Sequence, residues 1–139
     1  MICMIKTEYK YSELTAKIIG SAMEVHKALG NGFQELIYQR ALNIEFRKSN
    51  ISAVREVEMP IHYKGENIGT RRVDFLIEDK ISVEIKSITK LEDVHLAQAI
   101  NYLEAYDLEI GLLINFGSKS LEFKRLINSK FNQRNQRNQ

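Results

Sequence analysis

The chain has 139 residues, of which 44% are hydrophobic and 27% are charged, and its formal net charge is +2. This length and composition predict one soluble globular domain with an ordinary hydrophobic core. The single cysteine excludes an internal disulfide, and no Cys/His cluster indicates a zinc site. No signal peptide or membrane-spanning apolar run is recognisable, so we expect a cytoplasmic protein without a membrane partner.

Positive charge is concentrated towards the C-terminal end. Residues 117–139 carry six basic residues and one acidic residue, a net of +5, and the whole chain is +2, so residues 1–116 carry −3. The body of the protein therefore lacks the basic patch of a tight non-specific nucleic-acid binder. We predict an N-terminal lead-in at 1–11, a single domain at 12–131 and a disordered polar and basic tail at 132–139.

Two amphipathic helices are predicted before any strand. Apolar residues between Leu14 and Leu29 recur at spacings of three and four after Ser12, a good N-capping residue, and Gly30–Gly32 ends this helix. The second helix is predicted from Phe33 to Lys48. Its first turn contains Glu35, where the helix dipole favours a carboxylate.

Two strands follow, from Ala53 to Tyr63 and from Glu66 to Ile77. Pro60 cannot donate to a strand ladder, so the first of these strands is predicted to lie at the edge of its sheet. The intervening Lys64–Gly65 dipeptide is typical of a turn.

The segment 72–87 has the period-two alternation of two half-buried strands. A three-residue loop at 78–80 sets Ile77 opposite Ile81 and keeps the apolar residues of both strands on one face. A two-residue loop would place them on opposite faces. The favoured register also puts Asp74 directly opposite Glu84, with Lys86 two residues further along the same face.

Two opposed carboxylates are unfavourable on their own. At about 5 Å and an effective dielectric near 20 their repulsion is about 3 kcal/mol, so a divalent cation or the Lys86 ammonium is expected to offset it. A hard cation such as Mg²⁺ binds carboxylate oxygens and leaves sites for water and phosphate. The Glu-x-Lys triplet has little value alone, because it recurs at Glu8/Lys10 and Glu122/Lys124. A charged solvent-facing strand is the alternative interpretation.

A third helix is predicted after Lys86. His95, Gln98 and Tyr102 form a polar stripe on it, at spacings of three and four, which is either a solvated face or a set of groups turned towards the acids. The apolar run from Glu109 to Phe116 predicts a strand buried on both faces and parallel to the strand before the helix. Leu121 to Phe131 is predicted to form a terminal helix.

Three of these motifs together resemble the PD-(D/E)XK nuclease superfamily. Asp74 with Glu84–Lys86 is similar to its core motif, with Val73 in place of the proline. The segment Gly32–Tyr38, GFQELIY, resembles the GxxExxY family assigned to that superfamily. Gln98–Tyr102 resembles the QxxxY motif of the exonuclease-like branch. The motifs lie in the family order, and the resemblance spans roughly residues 14–117.

The resemblance implies a restriction-endonuclease-like α/β core of order α-α-β-β-β-α-β-α. Its sheet would be mixed, an antiparallel meander extended by one parallel strand and flanked by helices. The implied activity is metal-dependent hydrolysis of phosphodiester bonds in DNA or RNA. The alternatives are a nucleic-acid-binding module or a protein-interaction module that keeps the fold without cleaving, and homo-oligomerisation stays open.

The resemblance also implies residue roles. Asp74 and Glu84 would bind Mg²⁺, with Mn²⁺ as a substitute, and Glu35 would add a direct or water-mediated contact to the metal. Lys86 would position or deprotonate the attacking water, and Gln98 would orient substrate or water. The supporting residues implied in addition are Tyr38, Tyr102 and His95.

Overall fold

The computed structural model describes residues 11–131. Its helices are α1 (Ser12–Leu29), α2 (Glu35–Lys48) and α3 (Asp93–Tyr106). Its strands are β1 (Ala53–Tyr63), β2 (Glu66–Ile77), β3 (Ile81–Lys86), β4 (Ile110–Asn115) and β5 (Glu122–Ile127). Most of the predicted lead-in, residues 1–10, and the whole predicted tail at 132–139 lie outside the described residues.

The strands form one five-stranded sheet in the order β1-β2-β3-β4-β5. Strands β3 and β4 are parallel, and the other three pairs are antiparallel. The predicted mixed sheet flanked by helices is therefore confirmed. Strand β1, which contains Pro60, lies at one edge of the sheet, as the proline predicted.

The predicted terminal helix from Leu121 to Phe131 is wrong. Residues Glu122–Ile127 instead form β5, antiparallel to β4, and only a helical turn at 129–131 follows. Strand β4 would otherwise leave a row of backbone N–H and C=O groups without partners, and buried backbone groups need partners. Pairing with β4 also lets Leu126 pack beneath α3, so tertiary contacts override the local helical preference.

Helices cover both faces of β4, and all six of its residues are buried. Leu112 and Ile114 belong to the core built with α1 and α2. Leu113 belongs to a second cluster with Ala99 and Leu103 of α3. The nearly continuous apolar run predicted from the sequence is thus explained by a strand that lies between two helical layers.

The predicted register between β2 and β3 is confirmed where the two strands pair. Ile77 faces Ile81 and Phe75 faces Val83 across the three-residue loop 78–80. Paired positions end at Phe75 and Val83, so the ladder stops one position before the expected pair of Asp74 and Glu84.

A buried asparagine fixes the chain immediately after β3. Asn115 is 0% exposed, and its Oδ1 accepts hydrogen bonds from the backbone N–H groups of Ile88 and Gly117, each at 3.0 Å. Its Nδ2 donates to the Ile88 carbonyl at 2.9 Å and to Glu122 Oε1 at 2.8 Å. The ends of β3, β4 and β5 are therefore tied together around one amide.

Replacing Gly117 with alanine tests how tightly this junction is packed. A Cβ atom at Gly117 would overlap the backbone N and O atoms of Ile88, so we expect Gly117→Ala to destabilise the protein by about 2 kcal/mol. Urea unfolding measures the difference. Gly20→Ala is the matched control, because a Cβ there meets no atom within 4 Å and alanine favours a helix interior by up to about 1 kcal/mol. Equal loss of stability in both variants would contradict the close approach at Gly117.

Candidate functional site

Asp74 lies where β2 loses regular pairing on both sides. Glu56 has no partner in the pairing of β1 with β2, although the residues on either side of it are paired. Its backbone has a φ of +55°. On the other side the ladder to β3 ends at Phe75 and Val83. A left-handed conformation is uncommon for a residue with a side chain, and irregular strand positions often lie at functional sites. The irregularity leaves Asp74 available for side-chain contacts.

The Asp74 carboxylate is held at both oxygens. Oδ2 accepts a hydrogen bond from the backbone N–H of Ile85 at 2.7 Å, and Oδ1 accepts one from Gln39 Nε2 at 3.0 Å. Gln39 is 4% exposed, and its own oxygen accepts a hydrogen bond from Arg55 Nη1 at 3.4 Å. Burial raises the pKa of Asp74, and these two hydrogen bonds oppose that rise. The carboxylate orientation is therefore fixed by donors from β3 and α2.

Unlike Asp74, Glu84 does not have both carboxyl oxygens held by hydrogen bonds from the described residues. It is 7% exposed, and within residues 11–131 its Oε1 atom has no hydrogen-bond partner. Burial, and then the charge of Asp74, raises the pKa of Glu84 to about 9, although Lys86 and Arg71 lower it. A buried carboxyl with an unpartnered oxygen is unfavourable as an anion, so Glu84 needs either a proton or a nearby cation.

Glu35 is the first residue of α2 and lies within electrostatic range of Asp74 and Glu84. Partial burial raises its pKa, the Lys86 ammonium lowers it, and the charge of Asp74 raises it. The structure thus brings Glu35, Asp74, Glu84 and Lys86 within electrostatic reach of one another. Across residues 11–131, however, no three His, Cys, Asp or Glu side chains form a ready-made metal cluster.

Tyr38 builds the loop that precedes α2. It is 0% exposed, and its hydroxyl donates a hydrogen bond to the Gly30 carbonyl at 2.6 Å and accepts one from the Phe33 N–H at 3.1 Å. Its ring stacks on Phe116 with centroids 4.6 Å apart. Tyr38 therefore fixes the start of α2 and, with it, the position of Glu35.

The polar stripe of α3 has a different set of contacts. His95 Nδ1 accepts the Glu92 N–H at 2.9 Å as part of a reciprocal capping box at the start of the helix. The Arg71 guanidinium lies 4.0 Å from the centre of the Tyr102 ring. Gln98 is half-buried. In the described part of the chain no hydrogen bond joins Gln98, His95 or Tyr102 to the acids, so their predicted roles at the site stay predictions.

Tyr106 links α3 to β1 and β2 by hydrogen bonds. The sequence did not identify it as a site residue. Its hydroxyl lies 2.7 Å from the Arg71 carbonyl and 3.2 Å from the Val57 carbonyl. Burial, followed by the charge of Glu84, raises the pKa of Tyr106 to about 12. The end of α3 is therefore close enough to Glu84 for the two groups to affect each other.

A cleft of about 230 Å³ leads from solvent to Asp74. Its lining residues are Glu35, Leu36, Gln39, Glu56, Arg72 and Asp74. Arg72 and Glu56 form an ion pair at 3.6 Å, and both side chains are largely exposed. The cleft gives a phosphate group a route to Glu35 and Asp74, whereas Glu84 and Lys86 are not among its lining residues.

Gln39 and Glu56 are the site residues that sequence reasoning missed. Gln39 is four residues after Glu35 on α2, the spacing that places two side chains on one helical face. Glu56 lies on β1 beside Asp74, at the irregular position of the strand. Spacing on the helix was thus a usable signal for Gln39, whereas the left-handed backbone of Glu56 has no clear signature in the sequence.

Two comparisons with known proteins bear on the family and the fold. A model of the PD-(D/E)XK nuclease superfamily matches residues 12–126, and the chain belongs to this superfamily. The crystal structure of SSO0001 has a similar fold, with a TM-score of 0.52 and 22% sequence identity. The similarity covers 86% of this chain and 61% of SSO0001, so the chain spans less than two thirds of that protein. None of the helices described is long and apolar enough to cross a membrane.

The donor set at the site fits a hard divalent cation. Glu84 offers an oxygen without a protein partner, and the neighbouring Asp74 carboxylate has a fixed orientation. Carboxylate oxygens are the ligands that Mg²⁺ and Mn²⁺ prefer. A cation would also remove the reason for the raised pKa of Glu84, since it offsets both the burial of the charge and the repulsion from Asp74.

The raised pKa of Glu84 predicts a specific pH dependence of stability. Between pH 4.5 and about 9 the folded state keeps a proton that the unfolded state loses, so the free energy of unfolding falls as the pH rises. In EDTA, we expect Glu84→Gln to remove about 4 kcal/mol of the fall between pH 6 and pH 9. Urea unfolding at both pH values measures it. The exposed Glu66→Gln variant serves as the control, and an unchanged pH dependence in Glu84→Gln would show that Glu84 is not protonated in the folded state.

Proposed function

We propose that this protein is a metal-dependent nuclease of the GxxExxY group that hydrolyses phosphodiester bonds in DNA or RNA. The observation that carries the proposal is the state of Glu84, a buried carboxyl with an unpartnered oxygen next to the fixed carboxylate of Asp74. Structural ion-pair networks normally satisfy both partners, whereas a cation site leaves oxygens free until the cation binds. Membership of the PD-(D/E)XK superfamily supports the same reading.

Asp74 and Glu84 are proposed as the metal ligands, and Glu35 as a direct or water-mediated third contact. Mg²⁺ is the proposed ion, with Mn²⁺ as a substitute. When bound, such an ion supplies Lewis-acid chemistry, which stabilises charge on the phosphate and makes bound water easier to deprotonate. Gln39 and the Ile85 amide would keep the Asp74 carboxylate aimed at the ion.

Lys86 is proposed to position or deprotonate the attacking water and to stabilise negative charge on the phosphate. It is the last residue of β3, and its backbone carbonyl accepts the Phe116 N–H at 2.9 Å. The backbone of Lys86 is thus fixed, whereas its long side chain can change conformation to contact the substrate. Its influence on the pKa values of Glu35, Asp74 and Glu84 supports this placement.

The residues of α3 are proposed to act at longer range. Gln98 would orient substrate or water, as the superfamily resemblance implies. Tyr102 would act through Arg71, whose guanidinium lies over its ring and whose charge favours the ionised form of Glu84. His95 would hold the start of α3 through its capping contact with Glu92.

A binding module that does not cleave is the second candidate. It is favoured by one observation: the protein itself already satisfies both oxygens of Asp74. In that case Glu84 would stay protonated and no cation would be needed.

Nuclease assays separate the two candidates. We expect cleavage of single- or double-stranded DNA or RNA with Mn²⁺ or Mg²⁺ and none with EDTA. Lys86→Ala should lower the rate by about 100-fold or more, because it removes the proposed acid–base and electrostatic group. Lys124→Ala is the matched control, since Lys124 is the lysine of a second Glu-x-Lys triplet and is exposed on β5. Equal activity in Lys86→Ala and the parent would assign the cleavage to some other site.

Calorimetric titration with Mn²⁺ tests the metal site without catalysis. The parent should bind Mn²⁺, and Asp74→Ala should not. Gln39→Leu should weaken binding by about 10-fold, because groups that hydrogen-bond to metal ligands typically contribute this much. Asn43→Leu, elsewhere on α2, is the control for the glutamine change. Absence of Mn²⁺ binding in the parent would instead support the non-cleaving module.

A further inference from the structure

Three large apolar side chains are exposed to solvent at the start of α2. Phe33 is 47% exposed, Leu36 is 42% exposed and Ile37 is 39% exposed. We refer to these three residues as the apolar rim. Single exposed apolar residues are normal, but a cluster of them beside a polar cleft marks an interaction surface.

The apolar rim is built rigidly. The Phe33 N–H donates to the Tyr38 hydroxyl, and the Phe33 carbonyl accepts a hydrogen bond from Ser87 Oγ. The Phe33 ring meets the buried Tyr38 ring edge-on, with centroids 6.2 Å apart and planes at 80°. Both backbone polar groups of Phe33 are therefore hydrogen-bonded. Its ring packs against the buried Tyr38 ring and remains partly exposed to solvent.

The apolar rim borders the candidate active site on two sides. Leu36 lines the cleft together with Glu35 and Asp74. Ser87, which holds the Phe33 carbonyl, is the residue directly after Lys86. A phosphate that reached Asp74 through the cleft would therefore have Leu36 of the apolar rim next to it.

Positive charge accompanies the apolar rim. Arg72 lines the same cleft with an exposed side chain that is ion-paired with Glu56, and Arg40 is exposed on α2 one helical turn after Leu36. Arg47 is exposed further along the helix, about 10 Å beyond Arg40 at the usual helical rise. An exposed ring near a phosphate site, with arginines on the same helix and in the adjoining cleft, matches a nucleotide: the base would lie on the ring, and flanking phosphates would meet the arginines.

We propose that the apolar rim is a stacking platform for an unpaired nucleobase beside the scissile phosphate. The substrate class would then be single-stranded nucleic acid, or a strand with an unpaired end. Within a duplex both faces of each base are already stacked, and exposing one requires unstacking and unpairing. The inference rests on the proposed nuclease function, because it uses the acid cluster to define where the phosphate lies.

The absence of tryptophan from the sequence provides a direct test. Phe33→Trp introduces a single indole at the apolar rim, made in an Asp74→Asn background so that the probe is not hydrolysed. We expect a ten-nucleotide oligothymidylate to quench this indole, and a duplex of the same length to bind at least about 5-fold more weakly. Ile68→Trp is the matched control, because Ile68 is 65% exposed on the distant β1–β2 hairpin and should not respond.

A second measurement uses Phe33→Ala in the same background. Fluorescence anisotropy of labelled oligothymidylate should show a loss of affinity of about 5-fold to about 100-fold, the range expected for one base–aromatic stack. Duplex affinity should be unchanged. Because Phe33 is exposed, its truncation should leave the unfolding transition in place.

Four results would overturn the proposal. The first three are no quenching of Phe33→Trp, quenching equal to that of Ile68→Trp, and equal effects with single strand and duplex. A blue shift of the Phe33→Trp emission that depends on protein concentration, without oligonucleotide, would assign the apolar rim to a second copy of the chain and would also overturn it. Because these experiments measure binding, they can fail independently of the nuclease assay. Cleavage that depends on Lys86, together with no effect of the Phe33 variants on binding, would reject only the stacking platform. Quenching without any cleavage by the parent rejects only the nuclease.

Discussion

The hydrogen bond from the Ile85 amide to the Asp74 carboxylate is the contact on which the candidate site depends. It forms directly after the main-chain ladder between β2 and β3 ends, so a side-chain oxygen serves as the acceptor for the next amide. Ile85 is only 1% exposed, and a buried amide needs an acceptor. One bond therefore ties the two strands together and aims a carboxylate. Its position also keeps Glu84 and Lys86, on either side of Ile85, within electrostatic reach of Asp74.

Helix α2 supports this contact from the other side. Gln39 on its second turn holds the remaining oxygen of Asp74, and Glu35 on its first turn adds a third acid. Both depend on how the helix begins, which Tyr38 determines by closing the loop between Gly30 and Phe33. The GFQELIY segment is thus partly architectural: its tyrosine builds the helix start, and its glutamate faces the acids from that start.

Local patterns were sufficient where local periodicity decides the structure. The register of Ile77 with Ile81 and of Phe75 with Val83 follows from alternation and loop length, and the burial of β4 follows from its apolar run. Strand β5 was missed because Glu122–Ile127 becomes a strand through pairing with β4, a contact that no local pattern reveals. The link from Gln39 to Asp74 spans 35 residues and depends on how α2 packs, so only the assembled fold shows it.

The sequence predicted that Asp74 lies directly opposite Glu84, whereas in the structure the two carboxyl groups lie in different environments. Asp74 is held by the protein, whereas Glu84 keeps an oxygen free and has a pKa of about 9. A cation bound between them at neutral pH must therefore displace the proton of Glu84, which costs about 3 kcal/mol for a pKa two units above the pH. The repulsion between the acids is thereby removed in either state, by a proton or by a cation. A proton on Glu84 can thus take the place of a cation in the folded state, and under the proposed function the burial of Glu84 would couple cation binding to proton release.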